Sequence, residues 1–115
     1  MALDPNCIFC KIIEGEIPAD IVLRNENVVA FNDLNPQAPT HILIIPKAHY
    51  ENAAELAAAD QKVLGELFAM AREIADEKTL NGYRTVFNTG EDGGQTVFHA
   101  HLHLLGGRSL QWPPG

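Results

Sequence analysis

Phe98-His99-Ala100-His101-Leu102-His103-Leu104-Leu105 is the stretch whose reading decides the fold. Side chains on an extended chain alternate between two faces, so the three histidines point one way, each roughly 6.6 Å from the next. Ala100, Leu102 and Leu104 point the other way, where a helix can cover them. The stretch therefore reads as a strand, His99 to Leu105, with an apolar back and an imidazole-lined front. A purification tag would be contiguous and terminal, whereas here the histidines alternate with core residues. A catalytic metal is the serious competitor, because three imidazoles are a common zinc set. No carboxylate is interleaved with the run to serve as its base.

Working outward, Gly90-Glu91-Asp92-Gly93-Gly94-Gln95-Thr96 precedes the histidines. Paired glycines let backbone N–H groups approach an anion closely, and Thr96 adds a hydroxyl. Beside three same-face histidines this loop reads as a phosphate cradle. Imidazole titrates near pH 6.5, so it serves at neutral pH as nucleophile and as acid, and covalent capture divides one hard displacement into two easier ones. There is no Gly-x-x-x-x-Gly-Lys-Ser/Thr loop, so a P-loop mechanism has no support.

Asn6 is placed to cap a short helix from Cys7 to Glu14, with Gly15 as its stop. Ile21–Arg24 and Val28–Phe31 read as a hairpin across Asn25-Glu26-Asn27. Asn35-Pro36-Gln37-Ala38-Pro39 is a loop, and His41–Ile45 a buried strand ended by Pro46. Asp60 caps a long helix to about Lys78 with an apolar stripe of Val63, Leu64, Leu67, Phe68, Ala71, Ile74 and Ala75, ended by Asn81-Gly82. Tyr83–Asn88 is the fourth strand and the histidine strand the fifth. Strands following strands, with one main helix between them, predict an α+β antiparallel sheet rather than a doubly wound fold.

The chain has 115 residues, enough for a single domain spanning 1–115, and 46% of them are hydrophobic, enough for a core. Eight Lys and Arg against 15 Asp and Glu give a formal charge of −7. That balance argues against nucleic acid as the main partner, yet leaves a small anion open, since backbone amides and histidines hold phosphate without a basic surface. No apolar run approaches the roughly 20 residues of a membrane span. Met1-Ala2-Leu3-Asp4-Pro5 lacks the basic-then-apolar pattern of a leader, and two cysteines make no secreted disulfide scaffold, so a cytoplasmic protein is expected.

His99-Ala100-His101-Leu102-His103-Leu104-Leu105 resembles the His-x-His-x-His-x-x signature of the histidine triad (HIT) superfamily. The stretches Cys7–Pro18, Asn35–His41, Gly93–Thr96, Gly106–Arg108 and Trp112–Gly115 resemble its Hint branch, so the likeness covers nearly the whole chain. It implies a HIT-like fold: a five-stranded antiparallel sheet with one long and one short helix, two such sheets being joined in a homodimer with the long helix at the interface. It implies a purine nucleoside phosphoramidase, which hydrolyses the P–N bond between a nucleoside monophosphate and an amine. His101 would attack phosphorus and His103 would contact the phosphate oxygens. His41 would orient the nucleophile. Asn88, Gly94, Gln95 and Thr96 would lie along phosphate and ribose. Thr96 departs from a familiar serine but keeps the hydroxyl.

Asp33 with Leu34 would grip the ribose, and Ile8, Phe9, Ile12, Ile17 and Leu43 would wall the base. Trp112 would approach the partner's site and influence amine selectivity. Cys7-Ile8-Phe9-Cys10 opens the chain instead of following a strand in a βαβ unit, so redox chemistry is not expected. The likeness to paired-cysteine members implies instead a structural zinc on Cys7, Cys10, His49 and His99, and no catalytic metal. Two further readings remain open at this level. One is a dinucleoside polyphosphate hydrolase or nucleotidyltransferase of the same superfamily. The other is a zinc-stabilised module that binds nucleotides or docks on partner proteins.

Overall fold

A computed structural model describes residues 3–115; Met1 and Ala2, part of the segment read for a leader, lie outside the described residues. In chain order the elements are α1 (Ile8–Ile13), β1 (Ile21–Arg24), β2 (Val28–Asn32), β3 (Thr40–Pro46), α2 (Ala53–Ala59), α3 (Gln61–Glu77), β4 (Tyr83–Val86) and β5 (Leu102–Gly106). The strands form one antiparallel sheet in the order β1-β2-β3-β5-β4. The α+β antiparallel expectation is borne out.

The sheet is covered on both faces, which explains the unbroken apolar run of β3. Ile42 and Ile44 join Val28, Ala30, Ala100, Leu102 and Leu104 under Leu56 of α2 and Leu67, Met70, Ala71 and Ile74 of α3. On the opposite face Leu43 and Ile45 pack with Val29 and Phe31 against Cys7, Phe9 and Cys10 of the α1 region. Alternate residues from Ile42 to Ile45 thus belong to two cores, which is why that run is wholly apolar. Among the described residues no helix is long and apolar enough to cross a membrane.

Several boundaries differ from expectation. The cap of α1 is Cys7, whose Sγ accepts from the Cys10 amide at 3.4 Å, whereas Asn6 spends its own amide on Asp4 Oδ1. A second short helix, α2, was not foreseen. Asn52 caps it by accepting from the Glu55 amide at 2.9 Å. Asp60 closes α2 and caps α3 through the Val63 amide at 3.1 Å. Helix α3 stops at Thr79 (φ 51°), before Asn81-Gly82, through a Leu80 amide bond to the Ala75 carbonyl at 3.0 Å. Phe68, expected on the buried stripe, is half-exposed and stands edge-on to Phe87.

The histidine strand also begins later than expected, at Leu102 rather than His99. Its ladder with β3 runs from Thr40↔Gly106 to Ile44↔Leu102, and β4 reaches only as far as Val86↔His103. Upstream, the Ala100 amide bonds the Tyr50 carbonyl at 2.7 Å, and the Pro46 carbonyl accepts from the His99 ring at 2.8 Å. Residues 99–101 lie outside the ladder, and His99 sits in a bend.

Candidate functional site

The alternation survives the loss of the ladder. Ala100, Leu102 and Leu104 sit in the core beneath the helices, while His99, His101 and His103 turn to the face that carries α1. The Phe9 ring stands edge-on to His99 (centroids 5.9 Å apart) and to His101 (5.1 Å). That ring separates two sites of different chemistry.

On one side His99, fully buried, meets both cysteines and His49. Its Nδ1 lies 3.4 Å from Cys7 Sγ, 3.5 Å from Cys10 Sγ and 3.1 Å from His49 Nδ1. His49 Nδ1 is 3.3 Å from Cys10 Sγ, and all four donor atoms lie within 4.8 Å of one another. Tetrahedral zinc, with Zn–S of about 2.3 Å and Zn–N of about 2.0–2.1 Å, puts S···N edges at roughly 3.5 Å and N···N edges at roughly 3.3 Å. The edges match. The His99 Nε2–H donates to the Pro46 carbonyl, which leaves a lone pair on Nδ1, the outer-sphere arrangement of a metal-bound imidazole. Burial drives the His99 pKa down to about 4 and pushes the Cys10 thiol up to about 11. The imidazole is therefore a ready neutral ligand, and a dication is what would draw the proton off the thiol. The Cys2His2 set fits a closed, structural zinc.

On the other side, hydrogen bonds assign a proton to one nitrogen of each ring. The Gln37 amide donates to His41 Nδ1 at 3.0 Å, so His41 carries its proton on Nε2. That proton points at His103 Nδ1, 2.9 Å away, with Asp33 Oδ2 at 3.4 Å. His103 then holds its proton on Nε2, a buried atom without a partner. His101 donates from Nδ1 to the His99 carbonyl at 2.7 Å, which leaves a lone pair on its Nε2. Burial lowers the pKa of all three rings, and that of His103 to about 4, so each is neutral at pH 7. A lone pair and an N–H donor, on rings 5.0 Å apart, are a nucleophile and an anion donor side by side.

Both rings open onto a cavity of about 280 Å³. Ile8, Phe9, Ile12, Ile17 and Leu43 line its apolar side; Asp33, Leu34 and Thr96 line its polar rim. Asp33 Oδ1 accepts from the Asn35 amide at 2.8 Å, which fixes the carboxylate there. Sequence reasoning missed Pro18, Ala19, Asp20, Phe31, Asn32 and Val97 in the wall. Phe31 could have been found from strand alternation with Val29; Pro18, Ala19 and Asp20 depend on how the segment after α1 folds back, and Asn32 and Val97 on the end of β2 and the loop before the histidines. His41 stands behind His103 and does not line the cavity. Asn88 and Gly94 are likewise absent from its lining.

Gln95 is engaged within the protein. It is buried, its Oε1 accepts from the Gly90 amide at 2.9 Å, and its Nε2 donates to the Glu51 and Val97 carbonyls at 2.7 and 3.0 Å. Both amide hydrogens are committed, and the side chain braces the glycine loop. A wider cleft of about 710 Å³, lined by Lys78, Arg84 and Arg108, is open to solvent and holds none of the histidines.

Sheet, histidine run and paired sites define a protein of the histidine triad class. Residues 6–111 match the family model described as scavenger mRNA decapping enzyme C-terminal binding, and the chain belongs to this family within the HIT superfamily. It is 54% identical to an HIT-like protein of Synechococcus elongatus over 98% of this chain and 100% of that one. It is 50% identical to a 14 kDa zinc-binding protein of Zea mays, covering 97% of this chain and 90% of the other. Among solved structures, an HIT family hydrolase from Legionella pneumophila superposes with a TM-score of 0.92 at 50% identity, over 96% of this chain and 100% of that one.

Proposed function

We propose that the chain is a hydrolase of purine nucleoside phosphoramidates, working through a nucleotidyl-histidine intermediate. The Legionella relative, an HIT family hydrolase, supports the reaction class. The observation that carries the reading is the His101 Nδ1–H bond to the His99 carbonyl, which turns a neutral Nε2 lone pair toward the cavity. In the proposed reaction Nε2 attacks phosphorus in line, and the unpartnered His103 Nε2–H meets the phosphoryl oxygen as charge builds there. The P–N bond breaks with its electron pair going to nitrogen, and the amine leaves with a proton from solvent relayed by the Thr96 hydroxyl. Water then cleaves the P–Nε2 bond and frees the mononucleotide. Asp33 grips the ribose hydroxyls, and the wall from Ile8 to Leu43 takes the base without discriminating strongly among purines.

The cavity lies at the lower end of the roughly 300–1,000 Å³ typical of small-molecule sites. One nucleoside unit fits that size better than the two of a dinucleoside polyphosphate. Zinc on Cys7, Cys10, His49 and His99 is supported by their geometry and by the zinc-binding relative from maize. A cytoplasmic homodimer completes the reading. The uncovered edge of β4, with half-exposed Tyr83 and Phe68 beside it, is where a second sheet would add, and the exposed Trp112 ring, with the Arg84 guanidinium 5.9 Å from its centroid, stands near that edge.

The test is amine release from an adenosine phosphoramidate carrying a fluorogenic leaving group, by the zinc-loaded protein with no magnesium and no further metal added. Turnover that disappears in His101→Ala is expected. Turnover that appears only with metal beyond one zinc per chain would put His41, His101 and His103 in a catalytic metal site instead, and no turnover under either condition would leave a binding module.

A further inference from the structure

His99 takes part in both sites at once. Its ring Nδ1 faces the two cysteines and His49, and its backbone carbonyl accepts the His101 Nδ1–H at 2.7 Å. The segment that carries it, residues 99–101, lies outside the sheet ladder, so strand pairing does not hold it. What holds it is the other histidine of the metal cluster and its neighbours. The Ala100 amide bonds the carbonyl of Tyr50, the residue after His49, at 2.7 Å. Gln95 bonds the Glu51 carbonyl at 2.7 Å. The His99 ring itself is tied to the Pro46 carbonyl at 2.8 Å.

We infer that the Cys7–Cys10–His49–His99 cluster, when it holds its metal, is the positioning device of the nucleophile: it clamps residues 46–51 onto residues 95–101 and sets the His99 carbonyl that selects the reactive tautomer of His101. The inference rests on the proposed role of His101. It makes His99 a positioning residue and gives the metal a function beyond holding α1 to the sheet. Without the metal, Cys7, Cys10, His49 and His99 lose their common partner. The His99 carbonyl then drifts, and the His101 proton exchanges between its two nitrogens. A ring with its proton on Nε2 has no lone pair facing phosphorus. Loss of metal therefore silences the nucleophile, while Phe31 of β2 and Leu43 of β3 keep their part of the base wall on the sheet.

The test compares the zinc-loaded full chain with the same protein stripped by a chelator and refilled with zinc or cobalt. Long-range 1H–15N spectra of the imidazoles report the His101 tautomer directly. The loaded protein should show one pyrrole-like and one pyridine-like nitrogen, the stripped protein two averaged ones. The single-turnover rate of His101 nucleotidylation should fall about tenfold or more on stripping, the usual scale for losing an outer-sphere support. Adenosine affinity should fall by a smaller factor than the rate, and refilling should restore tautomer and rate together.

If stripping unfolds the chain, His49→Asp, which keeps an oxygen ligand and weakens the site, allows occupancy to be titrated with zinc at constant circular dichroism. Tautomer and rate should then track occupancy. A His101 tautomer that stays fixed as zinc is lost overturns the inference. Failure of the phosphoramidase reading looks different: the loaded protein shows the single tautomer and no turnover.

Discussion

His99 and His101 are two residues apart on the same face, yet one belongs to a closed cluster of sulfur and nitrogen donors and the other to an open cavity. Their rings have the same chemistry and similar burial. What differs is which nitrogen is already engaged. His99 gives its Nε2 proton to Pro46 and offers Nδ1 to the thiols; His101 gives its Nδ1 proton to a carbonyl and offers Nε2 to the cavity. The same rule separates His41, a donor because Gln37 occupies its Nδ1, from His103, which His41 turns into a donor in its own right. A role is assigned here by the partner of the nitrogen that does not react.

The largest effect expected from breaking this division is His101→Ala, which should lower phosphoramidate turnover by ~10^4-fold or more while zinc content, read by atomic absorption, stays at one per chain. At the other site Cys10→Ala should abolish stoichiometric zinc and cost roughly 3–5 kcal/mol in denaturant unfolding, the scale of losing a structural metal. His41→Ala removes the proton that fixes His103, and kcat should drop about 10^2-fold with adenosine affinity unchanged. An equal loss in affinity would place His41 in the ligand wall instead.

Acid should sharpen the contrast further. Burial holds the folded His103 pKa near 4, below the ordinary value of 6.5. Between those values the unfolded chain binds a proton at position 103 that the folded chain refuses. Stability at this position is therefore complete above about pH 6.5 and is lost as pH falls towards 4. His103→Asn should flatten the stability profile in that window. The smallest effect belongs to Arg108, whose Nη2 donates to the Gln37 carbonyl at 2.9 Å and so steadies the peptide that braces His41. Arg108→Ala should slow turnover about two- to fivefold, the worth of one exposed hydrogen bond.

Much of this division was legible in the chain. Period-two alternation placed the three histidines on one face, and the apolar run at His41–Ile45 marked a strand buried on both sides. Cys7, Cys10, His49 and His99 were named as one metal set through the likeness to paired-cysteine proteins, and the structure brings them within 4.8 Å of one another. The partners of Gln95 are not legible in the chain, because an amide in a glycine loop looks the same whether it faces ligand or protein. The α2 helix was passed over because an alanine-rich segment carries little amphipathic signal, and Asn52 alone had to announce it. The start of β5 was misplaced since alternation continues through residues 99–101, while the ladder depends on partners elsewhere in the chain.

The sequence by itself determined the alternating histidines, the apolar periodicities and the acidic balance, because these are properties of neighbouring residues and of composition. Which nitrogen of each imidazole carries the proton was decided only in three dimensions. The partners that decide it, Pro46 for His99, Gln37 for His41 and the His99 carbonyl for His101, act through backbone groups. Every residue type supplies those groups alike, so no pattern of side chains announces them.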